Sequence, residues 1–390
     1  MDAELEVWQR LAEDPLIFDD VASAQGSELH RQQQLRARHN PELVRVALLL
    51  TDLRKRGQAK FERADRMWFD RTSLEQSTPE LVARHKAQRF EHASPPVWDL
   101  CSGMGSDSIA LAASVGAVVS VDASPLAGWW LRRNAEAYGV EDRIKVRCGD
   151  VTNVEIPREA WVHIDPDRRA GRKRAIRIED YMPSLEFLQE LMGRTAGGAI
   201  KLSPASNFGG KFPETEIELI SLNGECKEAT VWYGAPAGEA TSRATVLPSG
   251  WTLAGNPWDA VPMVGELGTY VYDPDPAVVR AGLVDLLAEQ LELQRLDDSE
   301  EYLTSSTPIA SPAVTCFEVL ADLSRNDREV RNYFRDHPVG EVEIKSRHVP
   351  CDAEAIRRKL PLNGTGRATM MIARVGGRTR TLVCRRVASC

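Results

Sequence analysis

The stretch VWDLCSGMGSDSIALA, Val97 to Ala112, decides how the rest of the chain is read. A short apolar run, Val97–Leu100, meets small residues and then the first turn of an amphipathic helix, which is how a βαβ unit begins. Glycines at 103 and 105 let the backbone come close to a ligand. The competing reading is a tight strand-to-helix turn with no ligand, because Gly-x-Gly alone is weak evidence.

Working outward, the pattern repeats. Buried strands are expected at 117–124, 143–150, 160–167 and 197–204, with a helix capped by Ser124, opened by Pro125 and ending near Gly139. EATVWYGAPAGEATSRATVL, 228–247, reads as an antiparallel hairpin around a Gly/Pro/Ala turn. Residues 95–265 therefore predict an α/β, Rossmann-like sheet of parallel strands with an antiparallel hairpin edge. Residues 1–94 read as a helical N-terminal region, in which STPELVARHKAQRF offers Ser77 or Thr78 as N-cap, Pro79 at N1 and Glu80 in the first turn. A helical, ferredoxin-like connecting region is expected over 266–324, with a long helix over 275–296 and another over 316–337. A small basic α+β domain follows over 325–390, closed by a hairpin turn at Gly376–Gly377.

Composition narrows the classes. The 390 residues are 43% hydrophobic and 27% charged, and no apolar run approaches the ~20 residues that span a bilayer. The N-terminus is acidic and amphipathic, so no signal peptide and a cytoplasmic location are expected. Seven scattered cysteines argue against a zinc site or a disulfide framework, and no metal is expected. The net charge of −8 conceals an asymmetry: 325–390 holds fifteen Lys and Arg against seven Asp and Glu, which points to a polyanionic partner.

Three carboxylates fall at the ends of successive strands, the edge where open α/β sheets bind ligands: Asp99, Asp122 and Asp150. The third glycine of a dinucleotide site is replaced by Ser and Asp in SGMGSDS, so the loop suits a ligand without a pyrophosphate. Asp99-x-x-x-Gly103-x-Gly105, Asp122, Asp150 and Asp165-Pro166 together resemble a class I S-adenosylmethionine-dependent methyltransferase. The resemblance implies S-adenosylmethionine as cofactor, held by Asp99, Cys101, Ser102, Gly103, Met104, Gly105, Asp122, Ala123, Asp150 and Val151. It further implies that Asp165, Pro166 and Asp167 face the methyl acceptor. Where amine methyltransferases of this group carry a second proline and an aromatic residue, this chain has Asp167 and Arg168. The DPxR form also resembles pyrimidine-C5 RNA methyltransferases, but KLSPASNF after the fifth strand has no cysteine nucleophile.

The loop after Asp167 is strongly basic, and Arg168, Arg169, Arg172, Lys173 and Arg174, with Lys201 at the end of the fifth strand, are the expected substrate contacts. Trp129, Trp130 and His163 are expected to be structural. RMWFDRTSLEQSTPELVARHKAQRF is similar to the lead-in of the trimethylguanosine-synthase group, which methylates guanine N2 in RNA. The C-terminal segment resembles the THUMP-like module, which implies RNA of the rRNA or tRNA class as partner. The expected activity is methyl transfer to a base amine, with guanine N2 a candidate position. Methylation of a protein or small molecule, and RNA binding by a vestigial cofactor fold, are the alternatives.

Overall fold

The alternating pattern resolves into two units in the computed structural model, which describes residues 3–94, 96–167 and 177–387. One unit takes residues up to 215 together with 230–238, and the other takes 216–229 with 239 onward.

The first unit opens with helices α1 (Ala3–Ala12), α2 (Leu16–Ser23), α3 (Glu28–Arg36), α4 (Pro41–Gly57), α5 (Arg71–Gln76) and α6 (Glu80–Gln88). It continues through β1 (Val97–Leu100), α7 (Ser106–Val115), β2 (Val118–Asp122), α8 (Pro125–Tyr138), β3 (Ile144–Cys148), β4 (Trp161–Ile164), α9 (Leu185–Arg194) and β5 (Gly197–Leu202). In the second unit are β6 (Glu216–Leu222), β7 (Glu225–Gly234), whose latter half belongs to the first unit, β8 (Ser242–Leu247) and β9 (Trp251–Gly255). There follow β10 (Tyr270–Pro274), α10 (Pro276–Ala281), α11 (Val284–Gln290), β11 (Gln294–Arg295), β12 (Leu303–Ser305) and β13 (Val314–Ser324). The chain ends with α12 (Asp327–Asp336), β14 (Glu341–Lys345), α13 (Ala353–Lys359), β15 (Arg367–Val375) and β16 (Arg378–Arg386).

Local chemistry explains the first unit's helices. On α4, Asn40 accepts from the Glu42 N–H, Pro41 opens the first turn, and Leu43, Val44, Ala47 and Leu50 bury one stripe. The Ser124 cap and the Gly139 stop of α8 stand as the sequence predicts. α6 departs from expectation: it starts at Glu80 behind Pro79, and Thr78, instead of capping it, donates to Asp107 at 2.6 Å.

The strands of this unit run β3-β2-β1-β4-β5-β7. β1 lies parallel to both β2 and β4, and β2–β3 and β4–β5 are parallel as well. Strand order thus reverses at β1 and β4, and a crevice opens at their carboxyl ends.

In the second unit the strands run β7-β6-β8-β9. The hairpin expected over 228–247 is not formed: β8 lies parallel to β6 and antiparallel to β9. The tight turn is instead Asn223-Gly224 between β6 and β7, both with positive φ (53° and 78°), the type I′ pattern that matches strand twist.

A second sheet runs β11-β12-β10-β13-β16-β15-β14. Two helices expected from the sequence are corrected here. The segment 275–296 breaks at Gly282 into α10 and α11 and ends in β11. Residues 314–324 form β13, whose Phe317 is buried against the sheet, and only after Asn326 caps the next turn does α12 begin. The sheet therefore takes strands from both sides of 324/325, and the connecting segment is not helical throughout. Acids on β13 and β14 pair with the basic strand β16: Asp322 with Arg380, Glu318 with Arg385 and Glu343 with Arg386.

Candidate active site

The crevice is built on the loop between β1 and α7. Cys101, Gly103 and Gly105 all have left-handed backbones, with φ of 57°, 52° and 94°. A Cβ at Gly105 would lie 2.6 Å from Leu131 Cγ, so only glycine lets α8 pack this closely. The Gly103 N–H donates to Asp122 Oδ2 and the Ser124 N–H to Oδ1, each at 2.8 Å. Asp122 thereby ties the loop to the turn after β2.

Carboxylates crowd this loop. Burial pushes the Asp122 carboxyl above its ordinary range, against two backbone N–H bonds, and the charges of Asp99 and Asp165 add to the rise. Burial, followed by the charges of Asp122, Asp165, Asp99 and Asp167, likewise holds the Cys101 thiol well above its usual value. Such a concentration of negative charge favours a cationic ligand. In the same loop the hydroxyls of Ser102 and Ser106 are buried without a hydrogen-bond partner among the described residues. They lie at the N-terminal end of α7, where a carboxylate group is favoured. A ligand with a sulfonium, an ammonium and a carboxylate fits all of these features, and S-adenosylmethionine carries the three.

The remaining expected cofactor residues fall into place differently. Asp99 is corrected: it is 1% exposed, and its oxygens accept from Ser108 and from His163 Nδ1, the latter at 2.7 Å. Its carboxylate is thus engaged within the protein, between α7 and β4. Met104 is buried, its carbonyl accepting from Asn134 Nδ2 at 2.9 Å. Ala123 is exposed, and its carbonyl accepts from the Cys148 thiol at 3.6 Å. Asp150 is exposed and caps the turn Val151–Asn153 by accepting from the Thr152 N–H and hydroxyl, which lower its pKa; Val151 is buried.

Opposite the loop, β4 ends in the Asp165-Pro166-Asp167 segment. The Asp165 N–H donates to Leu100 O at 3.1 Å, which fixes its start beside β1. Pro166 is buried, and the flanking Asp165 and Asp167 reach outward. Lys201, 8% exposed, donates from its ammonium to Asp165 Oδ2 at 2.6 Å. Lys201, expected to contact the substrate, is thus ion-paired with Asp165. Asp167 exchanges two backbone hydrogen bonds with Met182, at 2.7 and 2.9 Å. The expected contacts Arg168, Arg169, Arg172, Lys173 and Arg174 lie outside the described residues.

Sequence reading missed several residues that hold this site. Asn134 receives the Trp68 N–H at 2.7 Å and donates to Trp68 O and Met104 O, coupling the N-terminal lead-in to the glycine loop. Its signal was a polar residue on the buried face of α8 beside Trp130, Leu131 and Ala135. Trp129 and Trp130 are core residues as expected, edge-on to Trp68 and Trp8 at 5.3 and 5.2 Å. Lys86 similarly interrupts an apolar stripe of α6 formed by Val82, Ala83 and Ala87.

Comparison with known proteins agrees with this geometry. Residues 95–189 match the family described as RNA cap guanine-N2 methyltransferase, and 314–386 match the THUMP domain-like family. A crystal structure of a candidate methyltransferase from Porphyromonas gingivalis W83 shares the fold, with a TM-score of 0.77 at 19% identity over 100% of both chains. Two Mycobacterium tuberculosis proteins, of strains CDC 1551 and H37Rv, are each named as an uncharacterized S-adenosylmethionine-dependent methyltransferase. Each is 34% identical over 313 residues, 79% of this chain and 85% of the relative. With its carboxylate-rich glycine loop at the switch point of the sheet, the chain belongs to the S-adenosylmethionine-dependent methyltransferases.

Proposed function

We propose that this methyltransferase acts on RNA, at an exocyclic amine of a base, with guanine N2 the leading position. The observation that carries the reading is the Lys201–Asp165 pair at the end of β4, beside the cofactor loop. Lysine occupies one carboxylate oxygen and leaves Oδ1 to accept an amine N–H. The Pro166 carbonyl would accept the second N–H, so the nitrogen lone pair points back toward the loop. S-adenosylmethionine supplies an electrophilic methyl group on its sulfonium. Asp165 and the Pro166 carbonyl would hold the nitrogen in line with that methyl group, and Asp167 or water would take the proton the nitrogen loses on methylation. The protein's contribution is proximity and orientation.

On the cofactor side, Asp122 would accept from the ribose hydroxyls with the lone pairs its two backbone bonds leave free. Asp150 and Val151 would border the adenine. RNA as acceptor draws support from the family matches over 95–189 and 314–386. It also draws support from α12, which sets exposed Arg328, Arg331 and Arg335 at spacings of three and four along one flank. Such a strip suits a phosphate backbone, and its contribution to binding should fall steeply with salt.

The test uses methyl-labelled S-adenosylmethionine and total RNA from cells lacking the gene. Label that nuclease removes, and that Asp165→Ala abolishes, is the expected result. Label on protein, or RNA labelling undiminished in Asp165→Ala, would overturn the assignment.

A further inference from the structure

Behind the glycine loop runs a chain of buried polar groups that the reaction itself does not use. Lys86 of α6, 2% exposed, places its ammonium 2.8 Å from Asp107 Oδ1 and 3.2 Å from His163 Nε2. Asp107 stands in the first turn of α7, immediately after the loop, and its other oxygen accepts from Thr78. Against the desolvation of burial, the charge of Lys86, and after it that of Lys201, holds its carboxyl well below the usual range. His163, 1% exposed, sits on β4 two residues before Asp165, and its Nδ1 meets Asp99 Oδ1 at the other end of the same loop. Ser108 then bonds both Asp99 and Ser120 of β2.

The pattern of donors fixes the state of the imidazole. An ammonium has only hydrogens to give, so Nε2 accepts from Lys86 and Nδ1 carries the proton donated to Asp99. Three elements that are distant in sequence are therefore joined through one ring: the lead-in helix, both ends of the cofactor loop and the acceptor strand. Burying this many ionisable groups confers little stability compared with an apolar core, which argues for a role in orientation.

We infer that Lys86 and His163 are positioning residues that lock the cofactor loop and the acceptor strand in mutual register. The inference rests on the reading of that loop as the cofactor site and of Asp165 as the acceptor-side carboxylate. Lys86 acts through Asp107 on the α7 end of the loop. His163 acts through Asp99 on its β1 end, and through β4 on Asp165.

Titration calorimetry with S-adenosylmethionine, followed by methyl transfer at saturating cofactor, tests it on the full-length chain. Lys86→Met and His163→Ala should each weaken cofactor binding at least tenfold, and His163→Ala should also lower kcat at least tenfold. His163→Asn, whose amide can still donate to Asp99, should recover cofactor affinity to within about threefold of wild type, a rescue that mere filling of the core would not give. If Lys86→Met fails to fold, Lys86→Met/Asp107→Asn removes both charges and leaves neither one unpaired; it should fold and still bind at least fivefold more weakly. Wild-type affinity in Lys86→Met or in the double variant, or His163→Asn as weak as His163→Ala, overturns the inference. No cofactor binding by the wild-type chain overturns instead the reading of the site on which it rests.

Discussion

Replacing Gly105 with alanine separates two physical costs that the glycine loop combines. The first is backbone strain: at φ of 94° an L-residue loses about 1–2 kcal/mol. The second is overlap, because the new Cβ would lie 2.6 Å from Leu131 Cγ, with Leu131 Cβ and Cα at 3.3 and 3.4 Å. Rotating the leucine about χ1 moves its Cγ but leaves its Cβ at 3.3 Å, tighter than an ordinary contact, so part of the overlap persists, and overpacking of this kind costs about 1–3 kcal/mol. Gly105→Ala should therefore lose about 2–5 kcal/mol, a fall in Tm of about 5–15 °C for a unit of this size. Gly103 is the internal control: its φ is 52° and nothing lies within 4 Å of where a Cβ would stand. Gly103→Ala meets only the strain, about 1 kcal/mol, and should lower Tm by about 2–5 °C. Thermal unfolding of both variants by scanning calorimetry, with Leu131→Ala added to complete a double-mutant cycle, measures the overlap directly. A favourable coupling of about 1–3 kcal/mol is expected between positions 105 and 131. Equal losses at 103 and 105, or no coupling to Leu131, would refute the overlap.

Other expectations follow from the same geometry. The Asp122 carboxyl is raised above its unfolded value of 3.8, so the stability it contributes is fully present below that value and is lost as pH rises through the folded pKa. The cofactor-free wild type should thus lose stability as pH rises from 4 to 7, a dependence that Asp122→Asn removes; the amide accepts only one of the two N–H groups, so the variant should also bind cofactor more weakly, and melts from pH 4 to 7 with and without cofactor check both. Lys201→Met should reduce methyl transfer at least tenfold with cofactor affinity within about twofold of wild type, since the lysine orients Asp165 and not the loop; equal loss in both parameters would count against that division. Trp8, 3% exposed and edge-on to Trp130, should cost about 3–5 kcal/mol when changed to alanine, read by denaturant unfolding.

How much of this was legible in the sequence depended on distance along the chain. The β1–loop–α7 unit, the Ser124 and Asn40 caps and the Gly376–Gly377 turn are local events, set by residues within a few positions of one another. β13 was not legible because an apolar run of its length satisfies both helical and strand periods, and pairing with β10 and β16 decides between them. The Asn223-Gly224 turn carries its own local signal, but the longer Gly/Pro/Ala run at 234–238 outweighs it in any reading of 228–247 by turn residues alone. The basic character of the C-terminal segment was plain from counting, yet much of it meets acids on β13 and β14.

The chain's sequence determined the kind of sheet, the glycine loop and which carboxylates end its strands, because capping, periodicity and turn chemistry act over a few residues. Only the tertiary structure decided where those carboxylates point. Asp99 turns inward to His163, 64 residues away, and Asp165 is taken by Lys201, 36 residues away. Asn134 grips Trp68 across 66 residues, and Lys86 reaches His163 across 77. Spacing encodes none of these pairs. They exist because the fold removes polar groups from water and leaves each one the partner that the packing brings within reach.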